Sequence, residues 1–99
     1  MSKQRTLLTI ITEKSIEKKV CTDLEKLGAK GYTVSDARGK GARGSRDGQW
    51  DFNQNIRIEA ICSDEVSTKI QSHLQECYFN HYAMVIYCHD VNVMRSDKF

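Results

Sequence analysis

Ninety-nine residues make one small domain, too short to hold two independent cores. A composition 39% hydrophobic and 28% charged is that of a folded globular chain and excludes collagen-like, linker-like and low-complexity classes. Fifteen Lys and Arg against thirteen Asp and Glu leave a net charge of +2, far from the dense basic surface of a non-specific nucleic-acid binder, and no apolar run reaches the roughly eighteen residues of a membrane span.

Thr6–Ile11 is short, apolar and rich in β-branched residues, which predicts a buried strand. Lys3 and Arg5 precede it, but Leu7–Ile11 is too short for a signal peptide, so the chain is expected to be cytoplasmic. Thr12 is the expected N-cap of a helix, with Glu13 supplying negative charge at its start. Ile16, Val20, Leu24 and Leu27 then form one helical face, and Gly28 stands where the helix should stop. Gly31–Ala37 alternates as a second strand. Ile56, Ile58, Ala60 and Cys62 alternate with Arg57, Glu59 and Ile61 as a third, with one face buried. Ser63 or Asp64 caps a second helix whose apolar face is Val66, Ile70 and Leu74. Ala83–Cys88 is the fourth strand; Asp90 is expected to turn the chain before a short piece at Val91 and Val93. Cys21, Cys62, Cys77 and Cys88 include no CxxC pair and each sits in an apolar pattern, so four reduced, mostly buried thiols are expected.

The order strand, helix, strand, loop, strand, helix, strand is the split βαβ arrangement, an α+β class with two helices on one face of a four-stranded antiparallel sheet. Leu7, Thr9 and Ile11 fall on one side of the first strand and Leu8 and Ile10 on the other, so the uncovered face is also apolar. Burying it against copies of the chain predicts an oligomer.

The chain lacks proline, and its six glycines all lie between Gly28 and Gly48. Residues 38–53, RGKGARGSRDGQWDFN, have no periodicity and are long for a hairpin connection. Gly39-Lys40-Gly41-Ala42-Arg43 can bring backbone N–H groups close to an anion, and Arg43 and Arg46 can fork onto phosphate oxygens. The motif is neither a P-loop nor a Rossmann fingerprint, since no helix follows. The alternative is a solvated hairpin whose arginines keep it soluble.

Gly28-Ala29-Lys30-Gly31-Tyr32-Thr33-Val34, then Gly39-Lys40-Gly41-Ala42-Arg43 and Arg46, resemble the PII signalling superfamily, with the closest likeness to SbtB-type PII-like proteins. Ile11-Thr12-Glu13-Lys14, Lys18-Lys19, Tyr78-Phe79-Asn80, Tyr82-Ala83 and the ending Lys98-Phe99 carry the likeness along nearly the whole chain. The resemblance implies a ferredoxin-like homotrimer, residues 1–99 forming one PII-like domain with a T-loop at about 38–54. It implies an adenine nucleotide (cAMP, AMP, ADP or ATP) in clefts between subunits, and no prosthetic group. By position, Gly39, Lys40, Gly41, Ala42, Arg43 and Arg46 would meet phosphate, and Tyr32, Thr33 and Val34 would lie beside the base. Ala83 and Met84 would stand in the B-loop. The tip, with Gln49, Trp50 and Phe52, would read a partner, for SbtB-type proteins the membrane bicarbonate transporter SbtA.

The sequence departs from the family at several positions. Ala42 stands where relatives often carry Ser, Met84 where they carry Gly, and the Cys-Gly-Pro-Glu-Gly-Cys tail of some relatives is not expected here; the aromatic Gln49-Trp50-Asp51-Phe52 leaves a carboxysome-associated variant open. Trp50 reads equally as an interface anchor or as a lid on its own subunit. His73 and Cys77, four apart on the second helix, could share a metal with Cys88-His89 or His81, as in a CutA-like trimer of the same topology. Slow nucleotide hydrolysis is a further alternative, but Asp36, Asp47 and Asp51 are scattered and no nucleophile–base arrangement can be read, so an enzyme is not expected. Two Arg-Gly pairs fall short of an RNA-binding tract.

Overall fold

The computed structural model describes residues 3–39 and 54–95. Strand β1 runs from Lys3 to Glu13 and passes through a 3-10 turn, Lys14–Ile16, into helix α1, Glu17–Lys26. Strands β2 (Thr33–Ala37) and β3 (Asn55–Cys62) follow, then helix α2 (Asp64–Tyr78) and strand β4 (Met84–Val93). The four strands form one antiparallel sheet in the order β2-β3-β1-β4. This is the expected α+β fold.

Periodicity places the core. Leu8 and Ile10 of β1 pair with Ala60 and Ile58 of β3 and with Cys88 and Ile86 of β4, which puts all of them on one face of the sheet. Helix α1 covers that face with Val20 and Leu24, joined by Ile16 from the turn before it, and α2 covers it with Ile70, Leu74 and Tyr78, all buried. Burying a side chain of this size contributes about 1.5–3 kcal/mol, so the two stripes account for why the helices dock at all. The Ser63 side chain accepts the Val66 N–H at 3.2 Å, as expected of an N-cap. Gly28 follows α1 with φ of +115°, and a Cβ added there would lie 3.3 Å from Val66 on α2. Glycine thus both ends α1 and lets it approach α2.

The opposite face carries Leu7, Thr9 and Ile11 beside Ile61 on β3 and Val85, Tyr87 and Val91 on β4. Val85 is 50% and Tyr87 46% exposed. The expected uncovered apolar face is present, and neither α1 nor α2 lies against it.

Several expectations need correction. Thr12 does not cap a helix: β1 continues through it, paired with Ile56 and Met84, and α1 is entered from Ile16 with no side-chain cap. The ladder on both sides of β1 outweighs the local capping preference of one threonine. Asp90 does not turn the chain either. It pairs with Thr6, and the long β1 holds β4 extended through Val93. Strand β2 begins two residues later than expected, at Thr33. Of the four cysteines, all free, Cys21 and Cys62 are buried but Cys77 and Cys88 are exposed. Among the described residues no helix is long and apolar enough to cross a membrane.

Candidate functional site

At one end of the sheet, the C-terminus of β2, the start of β3, the end of β1 and the start of β4 form a row. Ala37 lies opposite Asn55, Asn55 opposite Glu13, and Thr12 opposite Met84. The side chains at the end of β1 hold the residue before β4. The Thr12 hydroxyl donates to the Ala83 carbonyl at 2.7 Å, and the Ala83 N–H donates to a Glu13 carboxylate oxygen at 2.9 Å. The Lys14 N–H donates to the Gln54 carbonyl at 2.8 Å and closes the row where the chain re-enters the sheet. With both polar groups of the Ala83 backbone engaged, the entry to β4 has one geometry. Thr12 and Glu13 thus fix the entry to β4, although their place in the sequence suggests helix capping.

Gly39 leaves β2 at the same end of the sheet. A Cβ built on it meets no atom of the described chain within 4 Å. Gly39 and the Ala83–Met84 pair share an end but lie on opposite edges, since β2 and β4 are the outermost strands.

Tyr32, Thr33 and Val34 lie at the other end of β2, with Thr33 opposite Glu59 and Val34 opposite Ile58. Val34 is half-buried against the core, while Tyr32 and Thr33 are exposed. The Tyr32 hydroxyl donates to Glu25 at 3.1 Å, and negative charge on the neighbouring Cys21 sulfur, followed by that hydrogen bond to Glu25, pushes the phenol up to about 12. Beside Tyr32 an open groove of about 500 Å³ is lined by Lys14, Ser15, Glu17, Lys18, Cys21 and Thr22. Four strand steps separate Thr33 from Ala37, about 13 Å, and three interstrand spacings separate β2 from β4, about 14 Å. Tyr32–Val34 and Ala83–Met84 therefore sit on the order of 20 Å apart on one chain. One chain does not bring them together. Lys40, Gly41, Ala42, Arg43, Arg46, Gln49, Trp50 and Phe52 lie outside the described residues, as do Asp47 and Asp51.

The residues considered for a metal are distributed differently. His73 and Cys77 do meet, but Asp23 contacts the opposite ring nitrogen of His73, so the three do not converge on one point. Cys88 faces Gln71, and His89 lies on the open face opposite Leu7. Among the described residues no group of three His, Cys, Asp or Glu side chains could hold an ion.

Solved structures share this fold. A PII-like signalling protein from Thermus thermophilus is 45% identical, with a TM-score of 0.84 over 99% of this chain and 97% of that one. CPII from Thiomonas intermedia K12 is similar in two structures. The form with ADP and bicarbonate is 28% identical, with a TM-score of 0.85, and the form with ADP, AMP and acetate is 26% identical, with a TM-score of 0.86. Each match covers 100% of this chain and 97% of that one. The family model of nitrogen regulatory protein P-II matches residues 5–98. On that match, which takes in the sheet from Arg5 onward, both helices and the segment between β2 and β3, the chain belongs to the P-II family.

Proposed function

We propose that this chain is a nucleotide-responsive regulator that assembles as a homotrimer, holds an adenine nucleotide between neighbouring copies, and signals through the segment at about 38–54. The observation that carries the reading is the separation of Tyr32–Val34 from Ala83–Met84 on one chain, because a second copy is needed to complete such a site. The exposed apolar sheet face supplies the surface on which copies would meet. That CPII was solved with ADP and AMP supports the ligand class. In this reading Gly39, Lys40, Gly41, Ala42, Arg43 and Arg46 bind phosphate, Tyr32, Thr33 and Val34 flank the base, and Gln49, Trp50 and Phe52 meet the partner. The nucleotide acts by favouring one arrangement of the 38–54 segment over others, which changes affinity for the partner.

Isothermal titration with cAMP, AMP, ADP and ATP should give binding below millimolar for at least one; no binding by any of the four sinks the proposal. Replacing Arg43 and Arg46 together by Ala should weaken charged nucleotides about tenfold or more while adenosine is little affected.

CPII was also solved with ADP and bicarbonate together, which favours an inorganic-carbon role. The partner in this reading is a membrane bicarbonate transporter of the SbtA type, bound from the cytoplasmic side, and bicarbonate is a second ligand. Bicarbonate at saturation should tighten ADP binding, and ADP should tighten bicarbonate binding by the same factor. Independent binding of the two would argue against the co-ligand.

A further inference from the structure

Helix α2 places His73 and Cys77 one turn apart on the same face. The Cys77 sulfur lies 3.8 Å from His73 Nδ1, and the other ring nitrogen, Nε2, lies 3.1 Å from Asp23 Oδ2 on α1. The Tyr78 hydroxyl donates to the same Asp23 oxygen at 2.6 Å. Tyr78 is buried and also meets the His73 ring edge-on, with 6.5 Å between centroids. A carboxylate only accepts hydrogen bonds, so the Asp23 contact puts the proton on Nε2 and leaves the Nδ1 lone pair facing the thiol. The order is nucleophile, base and orienting carboxylate.

We propose that Cys77 is a thiol-modification site at which His73 acts as base and Asp23 as positioning residue, and that its reaction partner is a low-molecular-weight disulfide such as oxidised glutathione. The Cys77 S–H proton passes to His73 Nδ1. The sulfur then forms a bond to one sulfur of the disulfide as the S–S bond breaks. The leaving thiolate carries away that bond's electron pair and takes the proton from the imidazolium, so one disulfide and one thiol are consumed and one of each is formed.

The other cysteines lack this combination. Cys21 and Cys62 are buried, and burial pushes both thiols up. Cys88 is exposed, but its neighbour is the Gln71 side-chain amide at 3.8 Å, which donates to sulfur and cannot take its proton. Only Cys77 joins exposure to a base that is itself held in place.

The full-length protein treated with excess oxidised glutathione, quenched with acid and mapped by mass spectrometry, tests this. Cys77 is expected to react about tenfold or more faster than Cys88. His73→Gln should lower the Cys77 rate to near that of Cys88. Asp23→Asn should slow it several-fold and redistribute the His73 proton between the ring nitrogens, visible in their NMR chemical shifts. Circular dichroism checks that each variant is folded, and His73→Gln alone decides the matter if Asp23→Asn is not. Equal rates at Cys77 and Cys88, or a His73→Gln protein that reacts as fast as the parent, would overturn the proposal.

Discussion

Asp23 is half-buried between two helices and contacts both His73 and Tyr78 through one carboxylate oxygen. For Tyr78, burial first and the Asp23 contact second push the phenol well above its ordinary value of 10.0. The folded protein therefore holds this proton more tightly than the unfolded chain does. Stabilisation from a raised group is complete below the unfolded pKa and is lost as pH rises through the folded one. Cys21 and Cys62, raised chiefly by burial from 9.0, act in the same direction. Stability measured by urea denaturation should accordingly stay level to about pH 8 and fall from about pH 9 upward. Tyr78→Phe should cost about 1.5–3 kcal/mol at neutral pH, the usual worth of a hydrogen bond to a charged acceptor, and show a shallower decline above about pH 10. A decline as steep as the parent's would mean that Tyr78 is not among the groups responsible.

At the scale of elements, the end of β1 does more than continue a ladder. Thr12 and Glu13 hold Ala83 from a distance of 71 and 70 positions in the chain. Thr12→Val keeps the shape but strands the carbonyl of Ala83, a loss of about 1–3 kcal/mol. Nucleotide affinity is expected to fall as well, because the entry to β4 is no longer fixed. Ser63→Ala, which removes the cap of α2, should cost about 1 kcal/mol and leave nucleotide affinity unchanged. Paired calorimetric titrations distinguish the two; equal effects on affinity would show that Ala83 needs no such support. The same contrast explains what a sequence discloses. Ser63 is legible because its partner, Val66, is three residues away. Thr12 is not, because threonine before an acidic residue looks the same whether it caps a helix or reaches a backbone carbonyl across the sheet. The strands and helices are recoverable from their periods of about two and about 3.6. Their ends are not, since β1 and β4 extend each other through pairing no local pattern encodes.

For the whole molecule the decisive surface is the open sheet face. Leu7, Ile11, Ile61, Val85, Tyr87 and Val91 share it, and isolated apolar side chains would need no explanation where a contiguous set does. Val85→Asp combined with Tyr87→Glu should leave the 11.4 kDa chain folded but unassembled, as read by light scattering, and should remove nucleotide binding with it. A monomer that still binds nucleotide at the parent's affinity would contradict a site shared between copies. The candidate site is visible in the sequence as motif. That Tyr32–Val34 and Ala83–Met84 lie on opposite edges of the sheet is a property of the strand order, which residue types alone do not specify.

The sheet order also determines how damage spreads. In the proposed trimer each copy lends its β2-start residues to one cleft and its Ala83–Met84 end to another, so no copy owns a site outright. A chain altered at Thr33 and a chain altered at Met84 would each form only defective clefts alone, yet mixed trimers would contain some clefts with both halves intact. In that trimer function would be inherited by the ring and not by the polypeptide, and a faulty copy would be both a poison to its neighbours and a donor of whatever half it still carries.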